Sequence, residues 1–196
     1  MGNVKRMKPT YPRTLALSVA AELIALLQPV TERVEVAGSV RRGKANVSDL
    51  ELVLIPKRDT VPDGLFDFQT IDLAARLFDT LLDRKVLAKR PNIAGHFAWG
   101  PQNKLAIHVK TGLPVDLFST SRAGWYRTLL IRTGPKDFNL RIIEALAKRG
   151  YKLHAYGEAA LTGPDGNDVS VDSEQALFTL AGWLFQKPEE RRGYES

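Results

Sequence analysis

The chain predicts an α+β fold: a mixed, largely antiparallel sheet with helices packed on one face, followed by a small α/β C-terminal unit. Three observations predict it. Leu50, Leu52 and Leu54 alternate with Asp49 and Glu51 in the period-two pattern of a strand. Leu73, Leu77 and Leu81, joined by Phe78, form the four-residue stripe of a helix that buries one face. Beyond Arg122 the short strands give way to helical patterning. A chain of 196 residues can bury one good core, or a domain with a small satellite, but not several independent domains. The expected division is 1–121 and 122–196.

Met1 to Tyr11 is basic and reads as loose. Pro12 suits the first turn of a helix running to about Gln28, stopped by Pro29, with Val19, Leu23, Leu26 and Leu27 facing the core. Arg33 to Ala37 alternates as a short strand, which places Gly38-Ser39 in a turn that exposes backbone amides. The strand from Asp49 to Ile55 comes next, with its carboxylates on an exposed face. Lys57 to Asp67, polar and holding Pro62 and Gly64, reads as a loop.

The striped helix spans about Thr70 to Arg84, and Val86 to Lys89 an edge strand. Ala94 to Trp99 and Lys104 to Val109 read as strands joined through Gly100-Pro101-Gln102-Asn103, and Leu113 to Ser119 follows the Thr111-Gly112 turn. Asp116, between Val115 and Leu117, points to the opposite face from them, the face already carrying Asp49 and Glu51. Helices are expected at Trp125 to Ile131 and Lys136 to Arg149, the second ended by Gly150. Lys152 to Tyr156 and Ala159 to Thr162 flank a small hairpin near the Gly163-Pro164-Asp165-Gly166-Asn167 turn. Asp172, answered by Gln175, caps a last helix ending near Gln186, with a frayed charged tail beyond.

Lysine and arginine outnumber aspartate and glutamate by 28 to 22, and the surplus is larger outside the acidic cluster, so the remaining surface favours polyanions. The absence of cysteine excludes disulfides and thiolate metal sites. No apolar run reads as the ~18 residues of a membrane span, and no hydrophobic secretory segment opens the chain. A monomer in the cytoplasm, away from membranes, is expected. His96, His108 and His154 lack metal-site spacing, and Trp99, Trp125 and Trp183 read as core.

The run Gly38-Ser39-Val40-Arg41-Arg42-Gly43-Lys44 sets phosphate-binding groups directly ahead of Asp49-Leu50-Glu51. At a rise of ~3.3 Å per residue, Asp49 and Glu51 project together about 7 Å apart at their backbones. Such carboxylates, with a third from a neighbouring strand, can hold two divalent ions ~3.5–4 Å apart. Asp116 supplies the third. Mg2+ is the expected ion because it takes hard oxygen ligands and keeps water and substrate phosphates in its shell, with Mn2+ able to replace it. Arg42 can donate paired hydrogen bonds to phosphate, and Ser39 with the turn amides shorter ones.

In these residues the chain resembles the nucleotidyltransferase superfamily, and in detail it is similar to the family X, polymerase beta-like, DNA polymerases. The likeness continues through Asp116 in Val-Asp-Leu, Thr133-Gly134 before a helix holding Asn139, Gly150-Tyr151, Tyr156 and Val171-Asp172-Ser173-Glu174, and covers about Leu15 to Glu190. It implies a minimal palm plus a C-terminal nucleotide-binding subdomain, acting as a template-directed polymerase that fills short gaps in DNA repair. Asp49 and Glu51 would ligate both metals, and Asp116 would complete the catalytic site and help deprotonate the primer 3′-hydroxyl. Gly38, Ser39 and Arg42 would hold the outer phosphates of a dNTP, Thr133-Gly134 would turn against its sugar, and Asn139 would reach the minor-groove edge of its base.

Three features depart from that family, one being Lys136, which stands where an acidic or small residue often packs near the base. Ile131-Arg132 replaces the usual Tyr-Phe pair that lines the sugar pocket, which leaves NTPs as well as dNTPs open. Glu51 replaces the more usual second Asp. Primer-template or gapped DNA would be held by the C-terminal unit itself, with Arg132, Lys136, Arg141, Lys148, Arg149 and Lys152 as nucleotide or phosphate contacts. Two other readings stay open: a template-independent transferase acting on nucleic acid, protein or small molecule, and a non-catalytic nucleic-acid-binding relative.

Overall fold

A computed structural model describes residues 9–63, 67–154 and 160–193. Strand β1 (Tyr11–Pro12) leads into helix α1 (Arg13–Leu27), which tightens into a 3-10 turn at Gln28–Val30, and β2 (Thr31–Val36) follows. A four-residue helix α2 (Gly38–Arg41), β3 (Asn46–Val47) and β4 (Leu50–Pro56) come next. They are followed by β5 (Arg58–Pro62), β6 (Phe68–Asp72), α3 (Leu73–Asp83), β7 (Leu87–Lys89), β8 (Asn103–His108) and β9 (Pro114–Ser119). The C-terminal part holds α4 (Trp125–Thr133), α5 (Lys136–Lys148), β10 (Lys152–Leu153), β11 (Leu161–Thr162) and α6 (Glu174–Leu180).

The central sheet has the order β2-β4-β9-β8-β7, with β4 and β9 parallel and every other pair antiparallel, so it is mixed and largely antiparallel as expected. Leu50, Leu52, Leu54, Val115 and Leu117 bury one face against α1 and α3, through Val19, Leu23, Leu27, Ala74 and Phe78. The opposite face is covered too. Val53, Ile55 and Phe118 pack with Ala37 and with Trp125 and Leu129 of α4. The strand is therefore covered on both faces beyond Glu51, and Asp49, Glu51 and Asp116 are half-buried, which corrects the expectation of an exposed acidic side. A separate core joins Leu130, Phe138, Ile142, Leu146, Leu161, Leu177 and Phe178 in the C-terminal part.

Several expectations need correction. Residues expected to form a loop after Ile55 instead pair as the hairpin β5–β6, from Arg58↔Asp72 to Pro62↔Phe68. The segment expected to be a strand at Ala94 to Trp99 makes only isolated bridges, Pro91↔Phe97 and Trp99↔Lys104. There the Asn92 side chain accepts from the amides of Ala94 (2.9 Å) and His96 (3.0 Å), folding the backbone into a turn in place of a ladder. Leu26 is 39% exposed because α1 turns it away from the sheet. Gly38-Ser39 opens a short helix in place of the expected turn.

The stretch Arg13–Val30 is long and apolar enough, by composition, to cross a membrane, contrary to the sequence reading; here its inner residues pack on the sheet. Ser173, and not Asp172, caps α6, accepting from the Ala176 amide at 3.0 Å. That helix stops at Leu180, short of Gln186, because Gly182 has φ +75° and the Trp183 and Gly182 amides close on the carbonyls of Phe178 and Thr179. The charged tail is tied down at Arg191, which is 3% exposed and reaches Glu174. Tyr156, Ala159 and the first eight residues, on which other expectations fell, lie outside the described residues.

Candidate active site

Asp49 sits just ahead of β4 and Glu51 within it. On the parallel neighbour β9, Asp116 is the register partner of Glu51, and Leu105 of β8 is the partner of Asp116. Residues in one register row of a sheet share a face, so the second and third predicted carboxylates are brought side by side. On the other flank the Ala37 amide donates to the Glu51 carbonyl at 2.8 Å, so the start of α2 lies directly beside them.

Gly38 is the contact point. Its φ is +62°, and a β-carbon there would lie 1.9 Å from Glu51 Oε2. The carboxylate occupies the space that any other residue's side chain would fill. Gly38→Ala is expected to destabilise the protein by about 1–3 kcal/mol from the backbone conformation alone and to displace Glu51. Thermal unfolding beside a gap-extension assay checks both, and wild-type values for both would remove the glycine from the site.

The electrostatics concentrate on Glu51. Burial, then the charges of Asp49 and Asp116, push its carboxyl from an ordinary 4.5 up to about 8, against the smaller opposing influence of Arg132 and Arg42. Asp116 is likewise raised by burial, with Arg90 opposing through its charge and a short hydrogen bond from Nη2 to Oδ1. Burial lowers Arg42, while Glu51 and Asp49 support its charge. Arg42 Nη1 donates to the Thr133 carbonyl, joining the phosphate-binding run to the Thr133-Gly134 turn. The Ser39 hydroxyl is buried without a hydrogen-bond partner among the described residues, as a donor awaiting an acceptor would be.

Among the described residues no three acidic or imidazole side chains close into a ready metal cage, and Asp116 is turned to Arg90. The donor set nonetheless fits a hard divalent cation. Three carboxylates with strong mutual repulsion and incomplete compensation stabilise added positive charge, and Mg2+ draws part of its shell from water and substrate.

The remaining predicted residues divide into two groups. Arg132 lies over the Phe118 ring at 3.7 Å, and its charge is felt by both Glu51 and Asp116. Asn139, on the first turn of α5, donates from Nδ2 to the Ile131 carbonyl at 2.7 Å, leaving a buried Oδ1 without a hydrogen-bond partner. Lys136 is exposed at the start of α5. Lys148 and Arg149 stand at the other end of that helix, about 18 Å along its axis, and are exposed, as is Lys152. Arg141 donates to the Arg192 carbonyl at 2.7 Å. These four are not gathered with the carboxylates.

Sequence reasoning missed two features. Arg90 follows an edge strand and has no motif around it. The cluster of Arg41, Glu174 and Arg191 spans α2, α6 and the tail. Arg41 Nη2 meets Glu174 at 2.6 Å and Arg191 Nη1 meets it at 2.9 Å, while Arg41 also donates to Thr133 Oγ1 at 2.8 Å. Of the paired arginines, then, Arg41 is committed to structure and Arg42 is left toward the carboxylates.

Residues 128–192, which carry Thr133-Gly134, Asn139 and Glu174, match the family model of the DNA polymerase beta thumb. The fold is polymerase beta-like. Its whole architecture agrees: Leishmania infantum polymerase beta, solved as a ternary P/T complex, superposes with a TM-score of 0.71 over 94% of this chain and 77% of that one, at 21% identity. No curated protein matches the sequence. Glu51 and Asp116 thus lie in the sheet that precedes the segment matching the thumb model, with Asp49 just ahead of it.

Proposed function

We propose that the chain is a metal-dependent nucleotidyltransferase, a small DNA-directed DNA polymerase that fills short gaps in DNA repair. The primer 3′-hydroxyl attacks the α-phosphate of a dNTP and pyrophosphate leaves. The observation that carries this reading is the row of Glu51 and Asp116 on adjacent parallel strands, closed on one flank by Gly38 and by the Ser39 hydroxyl, which has no hydrogen-bond partner among the described residues. The thumb match and the likeness to a polymerase described as a ternary P/T complex support DNA as the partner.

The protein's own contribution is alignment and charge. Ser39 and Arg42 bind the outer phosphates, with Arg42 anchored on the Thr133 carbonyl so that the phosphate and sugar ends of the nucleotide are held by one linked unit. Asp116 accepts the proton of the primer hydroxyl, and Glu51 and Asp49 face the reacting phosphate as ligands for the cation that would offset their charge. Asp49, Glu51 and Asp116 would hold Mg2+, which when bound would supply Lewis-acid polarisation and neutralise charge on the phosphate oxygens. Partial burial of the row beside the doubly covered part of the sheet lowers the local dielectric and strengthens each of these interactions.

Extension of a labelled primer across a one-nucleotide gap with Mg2+ tests the reading, with each dNTP and each NTP offered against all four template bases. Incorporation that follows the template is the expected result. Incorporation indifferent to the template would replace the reading with that of a terminal transferase, and none with either sugar would end it. The Arg132 guanidinium, on an aromatic face beside the carboxylates, stands where the family resemblance leads one to expect an apolar wall. The NTP arm reads its effect on sugar choice.

A further inference from the structure

One register row crosses four strands of the sheet. Lys89 of β7 pairs with Ala106 of β8, and the next residue, Arg90, donates its amide to the Leu105 carbonyl at 3.0 Å. Leu105 pairs with Asp116, and Asp116 with Glu51. The row therefore reads cation, leucine, acid, acid. Arg90 and Asp116 are separated by β8, with roughly 10 Å between their backbones. The arginine stem must cross Leu105 for its Nη2 to reach Asp116 Oδ1, as it does.

An arginine leaving an edge strand has open water on one side and no need to do this. Its usual course is to lay its stem on apolar surface and carry its charge outward. Arg90 instead turns inward to a side chain 14% exposed and keeps its own Nε buried with no hydrogen-bond partner among the described residues. A pair selected for stability would satisfy that donor. Buried polar groups left unsatisfied call for a reason at the site they serve.

We propose that Arg90 is a positioning residue for the transfer reaction: by holding Oδ1 it fixes the plane of the Asp116 carboxylate and turns Oδ2 to the attacking hydroxyl. This rests on the polymerase reading above and adds a residue to it. Arg90 acts through Asp116 and does not itself touch substrate. As a fixed cation beside a carboxylate that binds metal, it also opposes the metal, and orientation is gained at some loss of metal affinity.

Arg90→Met keeps the apolar stem over Leu105 and removes the charge, and Arg90→Lys restores a charge on a similar reach. Two readouts separate positioning from mere support of the fold. In single-gap extension, Arg90→Met is expected to lower kcat about 10–100-fold, the range seen for partners of metal ligands, while the KM for dNTP stays within about threefold and Arg90→Lys recovers most of the loss. In a titration with Mn2+ alone followed by electron paramagnetic resonance, the full-length Arg90→Met protein is expected to bind more tightly than wild type. A kcat near wild type, a loss confined to KM, or Mn2+ binding that is unchanged or weaker overturns the proposal, because a structural prop would weaken both readouts together. A wild-type chain that binds Mn2+ yet incorporates nothing overturns the polymerase reading and takes the proposal with it. An active wild type with an unaltered variant overturns the role of Arg90 alone.

Discussion

Glu174→Ala is expected to destabilise the chain by about 3–5 kcal/mol, the usual cost of leaving a buried ion pair without one partner. The glutamate is 7% exposed and accepts from two guanidinium groups, at 3.1 and 2.6 Å from Arg41 and at 2.9 Å from Arg191. Arg191 has no escape to water. Its side chain is 0% exposed and its guanidinium lies 5.6 and 5.3 Å from the rings of Phe138 and Phe178. Burial already lowers its pKa, and Glu174 is the first influence that supports its charge. The alanine variant would leave two cations facing an empty site in the C-terminal core. Urea unfolding followed by tryptophan fluorescence measures this, and a loss below about 1 kcal/mol, the value of an exposed pair, would refute the account. The defect should also reach the site, because Arg41 donates to Thr133 Oγ1 and the carbonyl of the same residue anchors Arg42.

That cluster also shows where a sequence stops being legible. Asp49 and Glu51 could be read because a strand repeats every two residues, and Asp116 because a lone acid between Val115 and Leu117 has only one face to occupy. Local periodicity carries that much. It does not say what covers a face, and so the second layer formed by α4 over Val53, Ile55 and Phe118 turned an expected exposed acidic surface into a desolvated one. Nor does it reveal partners distant in sequence. Arg90 meets Asp116 only because β8 lies between β7 and β9, and Arg191 meets Glu174 only after the chain has turned back at Gly182. The hairpin β5–β6 was hidden for a different reason: Pro62 reads as a breaker, yet it ends a strand paired only to β6, where its missing amide costs least.

Glu51→Gln is expected to move activity and stability in opposite directions. The substitution keeps the size of the side chain against Gly38 and removes the charge from the centre of the carboxylate row. Loss of a ligand and of several kcal/mol of charge stabilisation in the transition state corresponds to a fall in extension of about a thousandfold. Without metal, the same charge is a burden on the fold. The folded Glu51 holds its proton up to about pH 8 while an unfolded chain releases it near 4.5, so stability conferred below 4.5 is lost as pH rises through that window. At about 1.4 kcal/mol per pH unit, the penalty near neutrality is about 3–4 kcal/mol. In EDTA at pH 7.5 the Gln variant should therefore melt above wild type, with a flatter dependence on pH between 5 and 8. Added Mg2+ should stabilise wild type more than the variant, since binding to the native state alone raises apparent stability by mass action. Equal melting in EDTA would mean that the Glu51 charge is already compensated, and would remove the strongest physical reason for expecting a cation at this site.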